Sequence, residues 1–371
     1  MDYSKPVSGK ELFKALEGKD CIVMAANMRI SHSARGVMMA AKEKNAAVLF
    51  EIAKSEVEYT GQTPQIFMDN ILKTAKELKF NQPYAVHGDH ITVKDTSPEA
   101  YKGAEDLIKA ELAAGFTSFA IDASHNFNEE AKTTREQLAD NISITTKLAA
   151  LIPKGAGLEV EVGEVGRTDP KTGKQLITTV DEAVTFIKAV QANGVRPDLL
   201  AINNGSIHGN MFDKEGNILE QVSIDTKRTE EIVDAIRPLG VKLAQHGITG
   251  TPLRLMHLLI EAGISKGNVG TNWQNIVVEH MDPTIRKKME DWTLQSDHAK
   301  KMKAKKPEIS QKELIAKNIK HSIKVFKAEI DGMDRKYVQK IHEATKKSAL
   351  EFFDAFNAEG TAGIVKDYLE K

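Results

Sequence analysis

Three histidines, His90, His208 and His246, follow short apolar runs of strand composition, and Asn27, Asp89, Asp122, Glu161 and Asn268 stand at matching points of the other runs. Three imidazoles with one open position make a common catalytic zinc arrangement. A histidine at a strand end can equally be a hydrogen-bonded structural group. The pattern alone leaves both open. Glycine placement adds a second clue, because Ser206-Ile207-His208-Gly209 and His246-Gly247-Ile248-Thr249-Gly250 each put glycine directly after the histidine. Glycine lets backbone N–H groups approach an anion closely, and Thr249 adds a hydroxyl donor. Glycine also serves in ordinary tight turns. A metal and a phosphate at one place would suit a phosphosugar substrate.

The elements that must position these groups recur eight times. The strand candidates are residues 21–26, 46–52, 83–87, 117–121, 157–162, 199–203, 241–245 and 264–269. Most are too apolar to alternate, which suits parallel strands buried on both faces. Between them lie segments of helical spacing, with Ala183, Val184, Ile187 and Val190 on one face and Ala104, Leu107, Ile108 and Leu112 on another. Gly115, Gly194, Gly240 and Gly263 stand at the predicted helix stops, just before strands. Eight such repeats predict an α/β fold, a (β/α)8 TIM barrel, with catalytic groups at the C-terminal strand ends and phosphate at the loops after the last two strands. Those loops carry Thr249, Gly250, Asn268, Gly270 and Thr271. Residues 1–280 are expected to form the barrel with an N-terminal capping helix. Residues 281–371 would form a helical insertion and C-terminal helices packed on the barrel. The lysine run 300–306 reads as a solvated face.

Composition narrows the classes. There are 371 residues, with 51 Lys+Arg against 52 Asp+Glu, so the net charge is −1 and no basic excess points to nucleic acid. The single cysteine, Cys21, cannot form an internal disulfide or a four-cysteine zinc site. No apolar run is long enough for a membrane span, and the N-terminus lacks a signal-peptide core. The expectation is a cytoplasmic protein without nucleic-acid or membrane partners. The dinucleotide and phosphate-loop glycine motifs are absent.

The runs HGDH (87–90), GFTSFAIDASH (115–125), LEVEVGEVG (158–166), INNGSIHGN (202–210), AQHGITGTP (244–252) and GISKGNVGTNWQ (263–274) closely resemble the class II, metal-dependent fructose-bisphosphate and tagatose-bisphosphate aldolases. The resemblance covers residues 10–275 in chain order and returns at Asp334-Arg335-Lys336-Tyr337. It implies reversible cleavage of fructose 1,6-bisphosphate through a metal-stabilised enediolate, in a homodimer or homotetramer. His90, His208 and His246 match the zinc ligands, in a donor set that also suits cobalt, iron or manganese. Asp122 and Glu161 match acidic residues near the metal, and the family also suggests an activating monovalent cation. Asp89 matches the acid that protonates the aldehyde oxygen, and Asn268 the amide that steadies the enediolate. Asn27, Gly209, Gly247, Thr249, Gly250 and Thr271 match substrate and phosphate contacts. Arg335 matches an arginine reaching a neighbouring subunit's substrate.

Four departures bear on substrate. Asp169 stands where the family carries a mobile glutamate acid/base, one methylene longer. Threonine replaces the usual serine at 249, Ala53 replaces a serine that contacts the second phosphate, and Gly88 stands where many relatives carry a larger residue. Three rival readings have sequence consequences. A Schiff-base aldolase would use Lys266. A metal-dependent hydrolase on this barrel would show His-x-His on the first strand, where this chain reads AANMR (25–29). A non-catalytic phosphosugar-binding barrel would need neither Asp89 nor the three histidines.

Overall fold

Eight parallel strands close on themselves in the computed structural model, which describes residues 4–163 and 175–371. They are β1 (Val23–Asn27), β2 (Val48–Ala53), β3 (Tyr84–Thr92), β4 (Ser118–Asp122), β5 (Gly157–Val162), β6 (Leu199–Ile202), β9 (Lys242–Gln245) and β10 (Ile264–Val269). The order around the barrel is β1-β10-β9-β6-β5-β4-β3-β2, and β7 (Met211–Phe212) pairs with β8 (Ile218–Leu219) in a small antiparallel ladder outside it. Every expected strand is present. Gly115, Gly194, Gly240 and Gly263 all have φ between 75° and 90°, the left-handed stop that turns each helix back toward the sheet.

The barrel interior is layered. At the bottom, Val23, Leu49, Ala85 and Leu199 pack on Leu12, Phe13 and Leu16 from the helix Gly9–Ala15 and its exit, so that end is closed by apolar side chains. Above them, Glu51, His87, Glu159 and Lys266 form a buried polar layer. The mouth carries Asn27, Asp89, Glu161, His246 and Asn268. A polar middle layer makes the mouth residues part of one electrostatic unit.

β3 runs further than its apolar pattern predicts, to Thr92. Its pairing with β4 shifts register between Gly88 and Ile91, and His90 there has φ +41°. In a regular strand Asp89 and His90 would point to opposite faces; the irregularity turns both toward the mouth. Gly88, just before Asp89, faces outward, and the Glu111 carboxyl fills the space a side chain would take. A larger residue at position 88 would collide with this helix side chain.

Glu111 is buried without a hydrogen-bond partner among the described residues. Burial first, and Asp89 second, push its pKa well above the ordinary carboxyl value. A carboxyl raised on folding contributes stability below its unfolded pKa and loses it as pH climbs through the folded value. Glu111→Met, which fills similar space without a charge, is expected to stabilise the fold more at pH 8 than at pH 5, by about 1–3 kcal/mol at the higher pH, read as a larger rise in melting temperature there. Equal shifts at both pH values would show that Glu111 is not the titrating group.

After β10, the helix Thr271–His280 leads into helices over 283–331 that build a separate apolar cluster on Ile30 and Val277. The long helix Arg335–Ala355 then packs along the helix His32–Glu43, and Phe352, Phe353 and Phe356 join the barrel's main core.

Candidate active site

The strands end in a cavity of about 350 Å³ at the C-terminal face. Of the residues expected there, Asn27, Asp89, His90, Asp122, Glu161, His208, Gly209, His246, Gly247, Thr249, Asn268 and Thr271 all line it. One expectation differs. Gly250 lies in a one-turn helix beside the cavity, its carbonyl accepting the Gln221 amide N–H at 2.7 Å, so it supports the loop without lining the space. Arg335 is exposed in the first turn of its helix and does not line this chain's cavity. Asp169 lies outside the described residues.

The three imidazoles meet. His90 and His246 have ring centres 4.3 Å apart, and His208, on the loop beyond β6, lies 5.3 and 6.2 Å from them. The hydrogen-bond partners determine which nitrogens carry protons. His246 Nε2 donates to the buried carboxylate of Glu159 at 2.7 Å, leaving its Nδ1 as a lone pair. His90 Nδ1 faces Glu161 Oε2 at 3.2 Å and Asp122 Oδ2 at 3.4 Å, so that nitrogen donates and Nε2 is the lone pair. These two lone-pair nitrogens face each other at 2.6 Å. Two acceptors at that separation repel unless a proton or metal cation lies with them. His90 and His246, grouped with Asp89, could therefore hold a divalent metal, and the His208 ring stands beside them.

The surrounding carboxylates favour a positive charge at this point, supplied by a proton or by a metal ion. Burial alone would depress the His90 pKa, but Asp89, Glu161 and Asp122 overcome it and hold it well above the ordinary imidazole value. His208 is pushed down to about 3 by burial and by the other two histidines. Asp89, although buried, is kept far below the usual carboxylate range by His90, Lys266, His246 and His87. Asn268 Nδ2 donates to one of its oxygens at 3.1 Å and Asn27 Nδ2 to the other at 3.2 Å. Asp89 is thus an ionised carboxylate aimed by two amides. Asn268 Oδ1 is left buried without a hydrogen-bond partner among the described residues.

Gly209, Gly247 and Thr249 line the cavity beside the N-terminal end of the helix Thr271–His280, whose dipole favours an anion, and Thr249 Oγ1 accepts the Asn272 N–H at 3.3 Å. Gly247 has φ +72°, and a Cβ there would stand 2.6 Å from the Ile207 carbonyl, so the two histidine loops approach this closely only with glycine.

Sequence reading overlooked the layer beneath. Glu159 bridges His246 and Lys266, the latter at 2.8 Å, and Lys266 also meets Glu51 at 3.2 Å and His87 at 3.2 Å. Burial would lower the Lys266 pKa, but Glu159, Glu51 and Asp89 raise it above the ordinary lysine value. A protonated lysine held between carboxylates and absent from the cavity lining is not a Schiff-base nucleophile. The available signal was the inward alternation of Glu159 and Glu161 in GLEVEV. Arg29, Tyr59 and Lys320 also line the cavity, and no spacing pattern marked them.

The class-II fructose-bisphosphate aldolase model matches residues 7–361. The chain belongs to that family. The enzyme is accordingly a metal-dependent aldolase, a carbon–carbon lyase. It is 28% identical over 270 residues to the 6-phospho-5-dehydro-2-deoxy-D-gluconate aldolase of Halalkalibacterium halodurans, covering 71% of this chain and 80% of that one. It is 29% identical over 272 residues to the fructose-bisphosphate aldolase of Geobacillus stearothermophilus, covering 72% and 82%. In fold it is similar to the crystal structure of the YdjI aldolase from Escherichia coli K12, with a TM-score of 0.61 at 18% identity, covering 96% of this enzyme and 99% of that chain. Among the described residues no helix is long and apolar enough to cross a membrane.

Proposed function

We propose that the enzyme reversibly cleaves fructose 1,6-bisphosphate to dihydroxyacetone phosphate and glyceraldehyde 3-phosphate, the aldol step of glycolysis and gluconeogenesis in the cytoplasm, with zinc at His90, His208 and His246. The observation that carries this reading is the facing pair of imidazole lone pairs at 2.6 Å beside an anion cradle at a helix N-terminus. When bound, the metal would act as a Lewis acid toward the ketose oxygens.

The chain's own groups supply the rest. The cradle of Gly209, Gly247, Thr249 and Thr271 binds one phosphate and sets the sugar's register. As the C3–C4 bond breaks, the C4 hydroxyl must lose its proton, and the ionised Asp89 accepts it. The role of acid on the aldehyde oxygen, expected from the resemblance, then belongs to the condensation direction. Asn27 and Asn268 keep Asp89 aimed. Asp169 is the proposed donor to the carbon left behind. Glu161 and Asp122 orient His90 rather than touching substrate.

The competing substrates are tagatose 1,6-bisphosphate and 6-phospho-5-dehydro-2-deoxy-D-gluconate, the latter favoured by the Halalkalibacterium relative. Steady-state kcat/KM on all three with the zinc enzyme ranks them. The proposal requires fructose 1,6-bisphosphate to lead, and a higher value for either competitor replaces it. We also propose a homo-oligomer in which the exposed Arg335 serves a neighbouring subunit. Arg335→Ala should raise KM for the bisphosphate several-fold, and an unchanged KM would remove the cross-subunit role.

A further inference from the structure

The helical segment 283–331 reaches the active site at one point. Its turn Ile319–Ser322 docks on the helix Lys54–Thr60 that follows β2. The Lys324 amide N–H donates to the Tyr59 carbonyl at 3.1 Å, and the His321 ring stands edge-on to Tyr59 at 5.7 Å. This docking places the Lys320 ammonium 5.6 Å from the centre of the Tyr59 ring, in the wall of the cavity.

The neighbouring guanidinium is already engaged, since Arg29 bonds Glu56 at 2.6 Å, Gln274 at 3.1 Å and Thr271 at 3.2 Å. The Lys320 ammonium has no ion-pair or hydrogen-bond partner among the described residues, its ring contact with Tyr59 aside. Burial and the Arg29 charge both lower its pKa, with Glu56 opposing them, which is the setting of a cation short of an anion. Ala53, also in the cavity wall and immediately before the helix that Lys320 docks on, offers no side-chain donor. The β2 loop lies four strands around the barrel from β6, whose loop carries the Gly209 part of the phosphate cradle. A substrate phosphate in that cradle leaves the other end of the sugar for the β2 side.

We propose that Lys320 is a specificity-determining residue that receives the second, terminal anionic group of the substrate, a phosphate or a carboxylate, and that the 283–331 segment delivers it within the same chain. This rests on the aldolase reading above. It gives the lysine-rich segment a task at the site, and it supplies from another direction the contact that alanine at position 53 cannot make.

The test uses the zinc-loaded full chain and three substrates: fructose 1,6-bisphosphate, fructose 1-phosphate and 6-phospho-5-dehydro-2-deoxy-D-gluconate. Fructose 1-phosphate lacks the second anion and reports only on the aldolase reading; if no substrate is cleaved, that reading fails, and calorimetric binding of the two fructose phosphates to the same protein then judges Lys320. Lys320→Met is expected to raise KM for the preferred two-anion substrate about 10- to 100-fold, the worth of one charged contact, with a much smaller change for fructose 1-phosphate. Whichever two-anion substrate loses most identifies the anion as phosphate or carboxylate. Lys320→Arg should recover most of the loss, and an unchanged melting temperature separates recognition from folding. An equal loss on fructose 1-phosphate, a retained preference in Lys320→Met, or the same collapse from Lys94→Met alone, the other cavity-lining lysine, would overturn the proposal.

Discussion

Dialysis against a chelator should abolish cleavage of fructose 1,6-bisphosphate, and added zinc should restore it. A Lewis acid supplies several kcal/mol of transition-state stabilisation, so its loss is expected to cost ~10³-fold or more in rate. Removal should also lower the melting temperature, because a metal that binds only the folded chain stabilises it. The reason lies in the histidine tautomers. Glu159 on one side, and Glu161 with Asp122 on the other, turn a lone pair of His246 and a lone pair of His90 toward each other at 2.6 Å. Without a cation between them that arrangement is unfavourable. Cleavage that survives the chelator but is lost to borohydride plus substrate would move the chemistry to Lys266. The two carboxylates around that ammonium weigh against this outcome.

Replacing Asp89 by alanine should lower kcat by about 10²- to 10⁴-fold, the usual contribution of a positioned acid–base group. Metal content should fall little, since Asn27 and Asn268 engage both carboxylate oxygens, although Asp89 stands within ligand range of His90 and His246. Substrate affinity should also change little, because the anion cradle is built from other loops. Asp89→Asn sharpens the test: it keeps size and polarity but cannot take a proton. A variant with full cleavage activity would transfer the proton at the C4 hydroxyl to another group. One that lost its metal instead would make Asp89 a ligand.

The barrel was legible in the chain because each strand is a short apolar run and each helix a periodic one, closed by a glycine that tolerates positive φ. The gathering of the three histidines was legible because the barrel places strand ends at one face, so sequence position translates directly into spatial position. Composition excluded a disulfide-stapled fold and a basic nucleic-acid binder on charge and cysteine counts alone. What the tertiary structure decided is of a different kind. The register shift in β3 depends on its pairing with β4, and only that pairing turns Asp89 and His90 toward the same mouth. Gly88 became intelligible once Glu111 was found filling its space from a helix. The tautomers of His90 and His246 follow from carboxylates on other strands, and the exposed position of Arg335 follows from how its helix packs. Lys320 is the clearest case. A lysine in a lysine-rich helical segment carries no local mark, because its meaning comes from where that segment docks, and docking is set by burial between residues far apart in the chain.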